Sequence, residues 1–185
     1  ASCLPFLFCR RQTRAGSGSR TRPLCRPSQA ENGDCTAPSS TLALHGTVPI
    51  WRPVELPPDT TFANTGGVML GDGGDILTFT GGLDTTAVAG GTSVGGTVRT
   101  AGQQIDLGAV TLIADSTIDS SNNGAGTGAV INIASVSSLG ANLTLRSRSQ
   151  PTTVTGIVAL IGILTLHDNN AGSTGAMTFN GSVSA

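Results

Sequence analysis

Asp106, Asp115 and Asp119 lie within fourteen residues of one another and could meet on one face of a strand-rich fold. Clustered carboxylates are the working groups of enzymes that cleave polysaccharides. That chemistry also needs an Arg, Lys or His beside the acids to stabilise developing charge. The nearest basic residue in sequence is Arg99, and His167 is remote, so the three are read as solvated corner aspartates. A second candidate is Gly71-Asp72-Gly73-Gly74-Asp75-Ile76-Leu77, which matches most of the calcium-binding nonapeptide pattern, with Leu70 where the first Gly belongs. In that pattern, carboxylates and carbonyls of successive turns supply oxygen ligands to Ca²⁺. A second copy one turn away is required and none follows, so the stretch reads as a Gly-Asp turn entering a strand.

The remaining candidates are hydroxyls and thiols. Thr78, Thr111, Thr144, Thr165 and Thr178 each stand between hydrophobic neighbours and face outward if those neighbours face a core. An outward Thr ladder can order water and bind ice, but that mode wants Thr-x-Thr on each turn. Only Thr78-Phe79-Thr80 and Thr153-Val154-Thr155 offer it, so Thr reads as an ordinary solvent-facing strand residue. Asn142-Leu143-Thr144 is an N-glycosylation acceptor sequence that matters only in a eukaryotic secretory pathway. No Gly-x-Ser-x-Gly elbow and no Gly-rich phosphate loop with a Lys is present. Cys3, Cys9, Cys25 and Cys35 lack the paired spacing of a zinc ribbon. Two disulfides with three connectivities are open to them in an oxidising compartment; four unrelated thiols is the preferred reading. The sequence therefore assigns no catalytic, cofactor-binding or metal-binding residue, and reads the chain as not an enzyme.

The chain changes character near residue 60. Eight of the 9 prolines precede that point and 22 of the 26 glycines follow it. Seven of the 10 basic residues, all Arg, lie at or before Arg52. Residues 1–60 show no sustained period and many breakers, so they read as an irregular or disordered Arg/Pro/Cys-rich segment. The opening Ala1-Ser-Cys-Leu-Pro-Phe-Leu-Phe-Cys9 is short, contains a proline, and its Arg10-Arg11 follow rather than precede it, which makes a poor signal peptide. The abrupt shift also fits a fragmentary or mistranslated start. The net charge of −1 gives no general attraction to nucleic acid or anionic membrane. Beyond residue 60, Asp72, Asp75, Asp84, Asp106, Asp115, Asp119 and Asp168 outweigh Arg99, Arg146 and Arg148. That balance argues against a nucleic-acid groove.

The elements that must position these groups announce themselves by recurrence. A hydroxyl or amide between hydrophobic residues centres on 78, 111, 132, 144, 165 and 178, with Thr97-Val98-Arg99 as a weaker copy. The spacings give a compound period of about 33 residues holding two short strands, the mark of a repeat architecture. In a strand, alternate side chains point to opposite faces, so Leu77 and Phe79 share one face and Thr78 takes the other. Two or three inward residues cannot stabilise an isolated hairpin. Burying one Leu or Ile contributes roughly 1.5–3 kcal/mol, so repeats must stack to offset their ordering entropy. Gly- and Asn-rich linkers such as Ser121-Asn122-Asn123-Gly124 accept the positive φ of tight corners. Residues 61–185 are thus expected to form an all-β parallel β-helix (β-solenoid), truncated in its last unit. A β-sandwich is the alternative, since it shares the short strands.

Residues 156–166, too short to span a membrane, read as two adjoining buried strands hinged at Gly162. Residues 41–56 are expected to cap the first coil through Ile50 and Trp51.

The stretch Ile131-Asn-Ile-Ala-Ser-Val-Ser-Ser-Leu-Gly-Ala-Asn-Leu-Thr-Leu145 resembles the repeat unit of large bacterial β-strand-repeat surface proteins. So does Gly175-Ala-Met-Thr-Phe-Asn-Gly-Ser-Val183, as the first half of a further unit. These are filamentous-haemagglutinin-like and autotransporter-like adhesins, and the similarity covers about residues 62–185. It implies a right-handed parallel β-helix, exported and displayed at the bacterial surface as part of a longer chain. The resulting expectation is a passive structural or adhesive repeat segment contacting surface glycans or proteins. Self-association through the solenoid ends is expected, with no nucleic acid and no membrane insertion. Rival expectations are a polysaccharide-acting β-helix enzyme and an ice-binding solenoid.

Overall fold

The structure, a computed structural model, describes residues 40–42, 48–50, 55–56, 59–159, 162–166 and 175–184. They belong to a unit spanning Ser39–Ala185. Cys3, Cys9, Cys25, Cys35, Trp51 and His167 lie outside the described residues.

The first coil comprises β1 (Ser40–Leu42), β2 (Val48–Ile50) and β3 (Glu55–Leu56). The second comprises β4 (Thr60–Phe62), β5 (Val68–Leu70) and β6 (Ile76–Phe79). In the third, β7 (Leu83–Asp84) is followed by β8 (Thr92–Thr100), which turns a corner and serves two faces. In the fourth, β9 (Ile105–Asp119) runs through all three faces. Then come β10 (Ile131–Ser138) with β11 (Leu143–Arg146), and β12 (Thr152–Val154), β13 (Val158–Ala159) and β14 (Leu164–Leu166). Finally, β15 (Met177–Phe179) and β16 (Val183–Ser184) open a further coil.

Every strand pairing among the described residues is parallel, one isolated bridge between Ala101 and Ser121 apart. That pattern is a three-faced β-solenoid, and it excludes the sandwich, whose sheets are built of antiparallel strands. Among the described residues there is no helix.

The repeat is one coil, not the expected 33-residue pair of strands. One circuit takes from 18 residues, Thr92 to Val110, up to 27, Ser116 to Leu143. Thr78 and Thr144 sit on the third face, Thr111 on the second, so equal sequence steps did not mark equal positions. The short phrase marks a strand on any face, while corners of unequal length blur the true period. The boundary expected near residue 60 also moves. Ser40–Leu42, Val48–Ile50 and Glu55–Leu56 pair in register with the second coil, so 41–56 contributes a coil rather than a folded-over cap. Ile50 packs against the core, as the cap reading also required.

The core is a bundle of inward columns, one residue per coil. On the first face Leu83, Ile105 and Ile131 stack; on the second Val68, Val110, Val136 and Val158; on the third Leu77, Val98, Ile118 and Leu145, all buried. Polar members of these columns find partners inside: Thr92 Oγ1 donates to Thr85 Oγ1 at 2.9 Å, and Thr152 Oγ1 to Ser147 Oγ at 2.8 Å. Such pairing offsets the cost of burying hydroxyls. Of the apolar run 156–166, Val158 is buried, but Ile157 and Ile163 are 57% and 67% exposed and Leu166 is 44% exposed. Two strands do flank Gly162, yet the second lies at the sheet's last level, where only one neighbour covers it.

Candidate functional site

Register joins residues that the sequence separates. On the third face, Thr97 pairs with Thr117, Thr117 with Thr144, and Thr144 with Thr165. The four make one outward column with a step of about 4.8 Å, the spacing of paired strands. Their inward neighbours Val98, Ile118 and Leu145 are buried, which forces the threonines to the opposite surface. The column lines a groove of about 520 Å³ that crosses the strands and reaches from Ile76 to Thr165. Asp75, Asp115 and Asn142 form one rim.

That rim is a ladder of side chains capturing the backbone of the next coil. Asp115 Oδ1 accepts from Asn142 N at 2.8 Å, and its Oδ2 from Asn142 Nδ2 at 3.1 Å. Asn142 Oδ1 in turn accepts from Ile163 N at 2.7 Å. The same device joins Asp59 Oδ1 to Gly82 N at 2.8 Å. Asn142, the amide of the acceptor sequence, is therefore spent within the corner. At the level between Asp75 and Asp115 stands Gly96, at φ +89°, whose missing Cβ lets the chain pass the Asp75 carbonyl closely. Asp75 uses Oδ2 on its own turn, accepting from Asp72 N at 3.1 Å.

The three aspartates singled out in sequence do not converge. Asp106 lies on the first face, Asp115 at the corner before the third face, and Asp119 at that face's far end. Asp106 pairs with Asn132 Nδ2 at 2.8 Å and with Gln104. With Asp59 and Asp84 it edges a hollow of about 180 Å³, and each carboxylate there already accepts a protein donor. Asp119 is buried, with Oδ1 accepting from Ser121 N and Oγ, both at 2.6 Å, and Oδ2 from Asn123 N at 2.7 Å. Arg99 and Arg146 flank it in register. Arg99 Nε donates to Thr78 Oγ1 at 2.9 Å and Arg146 donates to Asn123 Oδ1 at 3.1 Å. These charges pin a loop and a strand. Asp72 and Asp75 belong to the corner between β5 and β6, and no group of three or more potential metal-binding side chains occurs among the described residues.

The five threonines expected to face outward do so: Thr78 and Thr144 are half-buried, Thr111, Thr165 and Thr178 exposed. They do not share a column. Thr111 pairs with Ser137 across the second face, Oγ1 to Oγ 3.2 Å, and Thr178 continues Thr153 on the first. Sequence reading passed over Thr117 and took Thr97 only as a weaker copy. The usable signal was a hydroxyl directly before a buried β-branched residue, in Thr97-Val98 and Thr117-Ile118.

The fold defines the chain as a parallel β-solenoid whose best-formed surface feature is a hydroxyl-lined groove. No protein-family profile, no curated protein and no solved structure shows a significant match to the chain.

Proposed function

We propose that this solenoid is a structural and adhesive repeat segment of an exported bacterial surface protein, a passive rod making multivalent contacts. The observation that carries this reading is the regular outward lattice: on each face the strand's central position recurs once per coil. On the first face that column runs Thr61, Asp84, Asp106, Asn132, Thr153, Thr178. On the second it includes Ser93, Thr111 and Ser137. Repeated small polar groups favour contacts that are weak singly and strong in number. The resemblance of residues 131–145 to adhesin repeats supports the same reading and supplies its cellular setting. The enzyme reading loses its main support with Asp106, Asp115 and Asp119 dispersed around the coil. Ice binding wants two adjacent hydroxyl columns, and beside the Thr97–Thr165 column stand Thr78, Arg99, Asp119 and Arg146.

The test is multivalent display. Beads coated at graded density with the chain should be retained on immobilised bacterial or host glycans and matrix proteins, with retention rising steeply with density. Beads that pass freely over every such surface at the highest density would sink the reading.

A further inference from the structure

We propose that the third-face groove binds a linear, neutral polysaccharide lying along the solenoid axis, across the strands. This rests on the adhesive reading and names its ligand class and site.

Four observations point there. First, Thr97, Thr117, Thr144 and Thr165 present one hydroxyl per coil in a straight row, at a pitch comparable with one sugar unit of an extended glycan. Second, these hydroxyls have no hydrogen-bond partner among the described residues, whereas outward Thr78 is held by Arg99 and outward Thr111 by Ser137. A hydroxyl both donates and accepts, which matches sugar hydroxyls of either orientation. Third, Asp75 keeps Oδ1 available on the rim, since only Oδ2 serves its own turn. Fourth, Ile76 and Ile163, 48% and 67% exposed, close the two ends of the groove with apolar surface suited to the C–H faces of a pyranose ring.

Other occupants fit worse. A peptide strand needs free backbone groups, and those of the third face are spent in the ladder between coils. Nucleic acid and polyuronates meet Asp75 and Asp115 on the rim, which repel their charge. Among the described residues no aromatic ring lines the groove: Phe62 and Phe79 are buried in the core and Phe179 packs against it from the first face, so affinity per groove is low. A dissociation constant on the order of 1 mM for one groove is expected, raised by display.

The experiment is an amide-shift titration of the whole chain by NMR with cellohexaose, and separately with hexagalacturonate. Cellohexaose should move the amides of Thr97, Thr117, Thr144 and Thr165 together. The Thr117→Val, Thr144→Val double variant should bind about tenfold more weakly, each lost hydroxyl removing a modest hydrogen bond. Val suits a strand, so the variant should fold, which its thermal transition will check. Thr144→Ser, which keeps a hydroxyl, should retain binding, and Thr127→Val, in the exposed loop between β9 and β10, should leave the cellohexaose shifts unchanged. Unshifted amides at millimolar cellohexaose, an unaffected double variant, or tighter binding of hexagalacturonate would each overturn the proposal. If bead retention on glycan surfaces persists unchanged in the double variant, adhesion stands and the groove is wrong.

Discussion

At the residue scale, the groups that looked reactive turn out to be holding the backbone. Asp119 receives three donors from the loop that follows it, and it is 1% exposed. Replacing it with Ala leaves Ser121 N and Asn123 N without their acceptor, a loss of about 1–3 kcal/mol. Asp119→Ala should therefore lower the urea midpoint clearly, and Asp119→Asn by less, because one acceptor oxygen remains. Equal midpoints for wild type and Asp119→Ala would refute the assignment. Gly96 is a second such position. A Cβ there would lie 2.5 Å from the Asp75 carbonyl oxygen, at a φ of +89° that L residues rarely adopt. Gly96→Ala should cost more than the ~1–3 kcal/mol of a strained residue alone. Neither role was legible in sequence. The residue types suggested acids and turns, but the partners come from coils 20 or more positions away, or from a loop whose path local pattern does not set.

At the element scale, much was legible. Alternation such as Leu77-Thr78-Phe79 and Leu143-Thr144-Leu145 predicts which side chains are inward, and the structure buries Leu77, Phe79, Leu143 and Leu145. The existence of short strands and of parallel stacking also followed, because no single repeat can bury enough apolar surface alone. What failed was the unit length. Similar phrases occur on all three faces, and loops such as 122–128 lengthen one coil and not the next, even though Arg146 and Arg148 of the next coil hydrogen-bond to Asn123 and Gly126. A coil is stabilised from both sides only if it has two neighbours, and this sets the third prediction. Ile118, wholly buried between Val98 and Leu145, should cost about 2–5 kcal/mol when changed to Ala. Leu166, 44% exposed at the last level of the same column, should cost much less. Comparable losses at the two positions in equilibrium unfolding would contradict the column.

At the scale of the whole molecule, a stack of parallel coils has a direction and therefore two unlike ends. β14, β15 and β16 each pair on one side only among the described residues, and Leu166 and Val183 are 44% and 46% exposed there. Unpaired strand edges invite further strands unless charge, proline or a covering segment blunts them. Thr178, Ser182 and Ser184, on or beside β15 and β16, carry no charge that would oppose docking. The expected contact brings the first coil of a second copy, whose strands also pair on one side only among the described residues, against this edge, extending both the hydrogen-bond ladder and the apolar columns. Such head-to-tail contact does not close on itself, so mass should grow with concentration rather than stop at a dimer. Light scattering across a hundredfold dilution is the measurement, with a rising mean mass expected. Val183→Lys should hold the chain at a lower mass, because the added ammonium would have to be buried in the new contact. A concentration-independent monomer, or growth that Val183→Lys leaves unaltered, would show that this edge is not the contact.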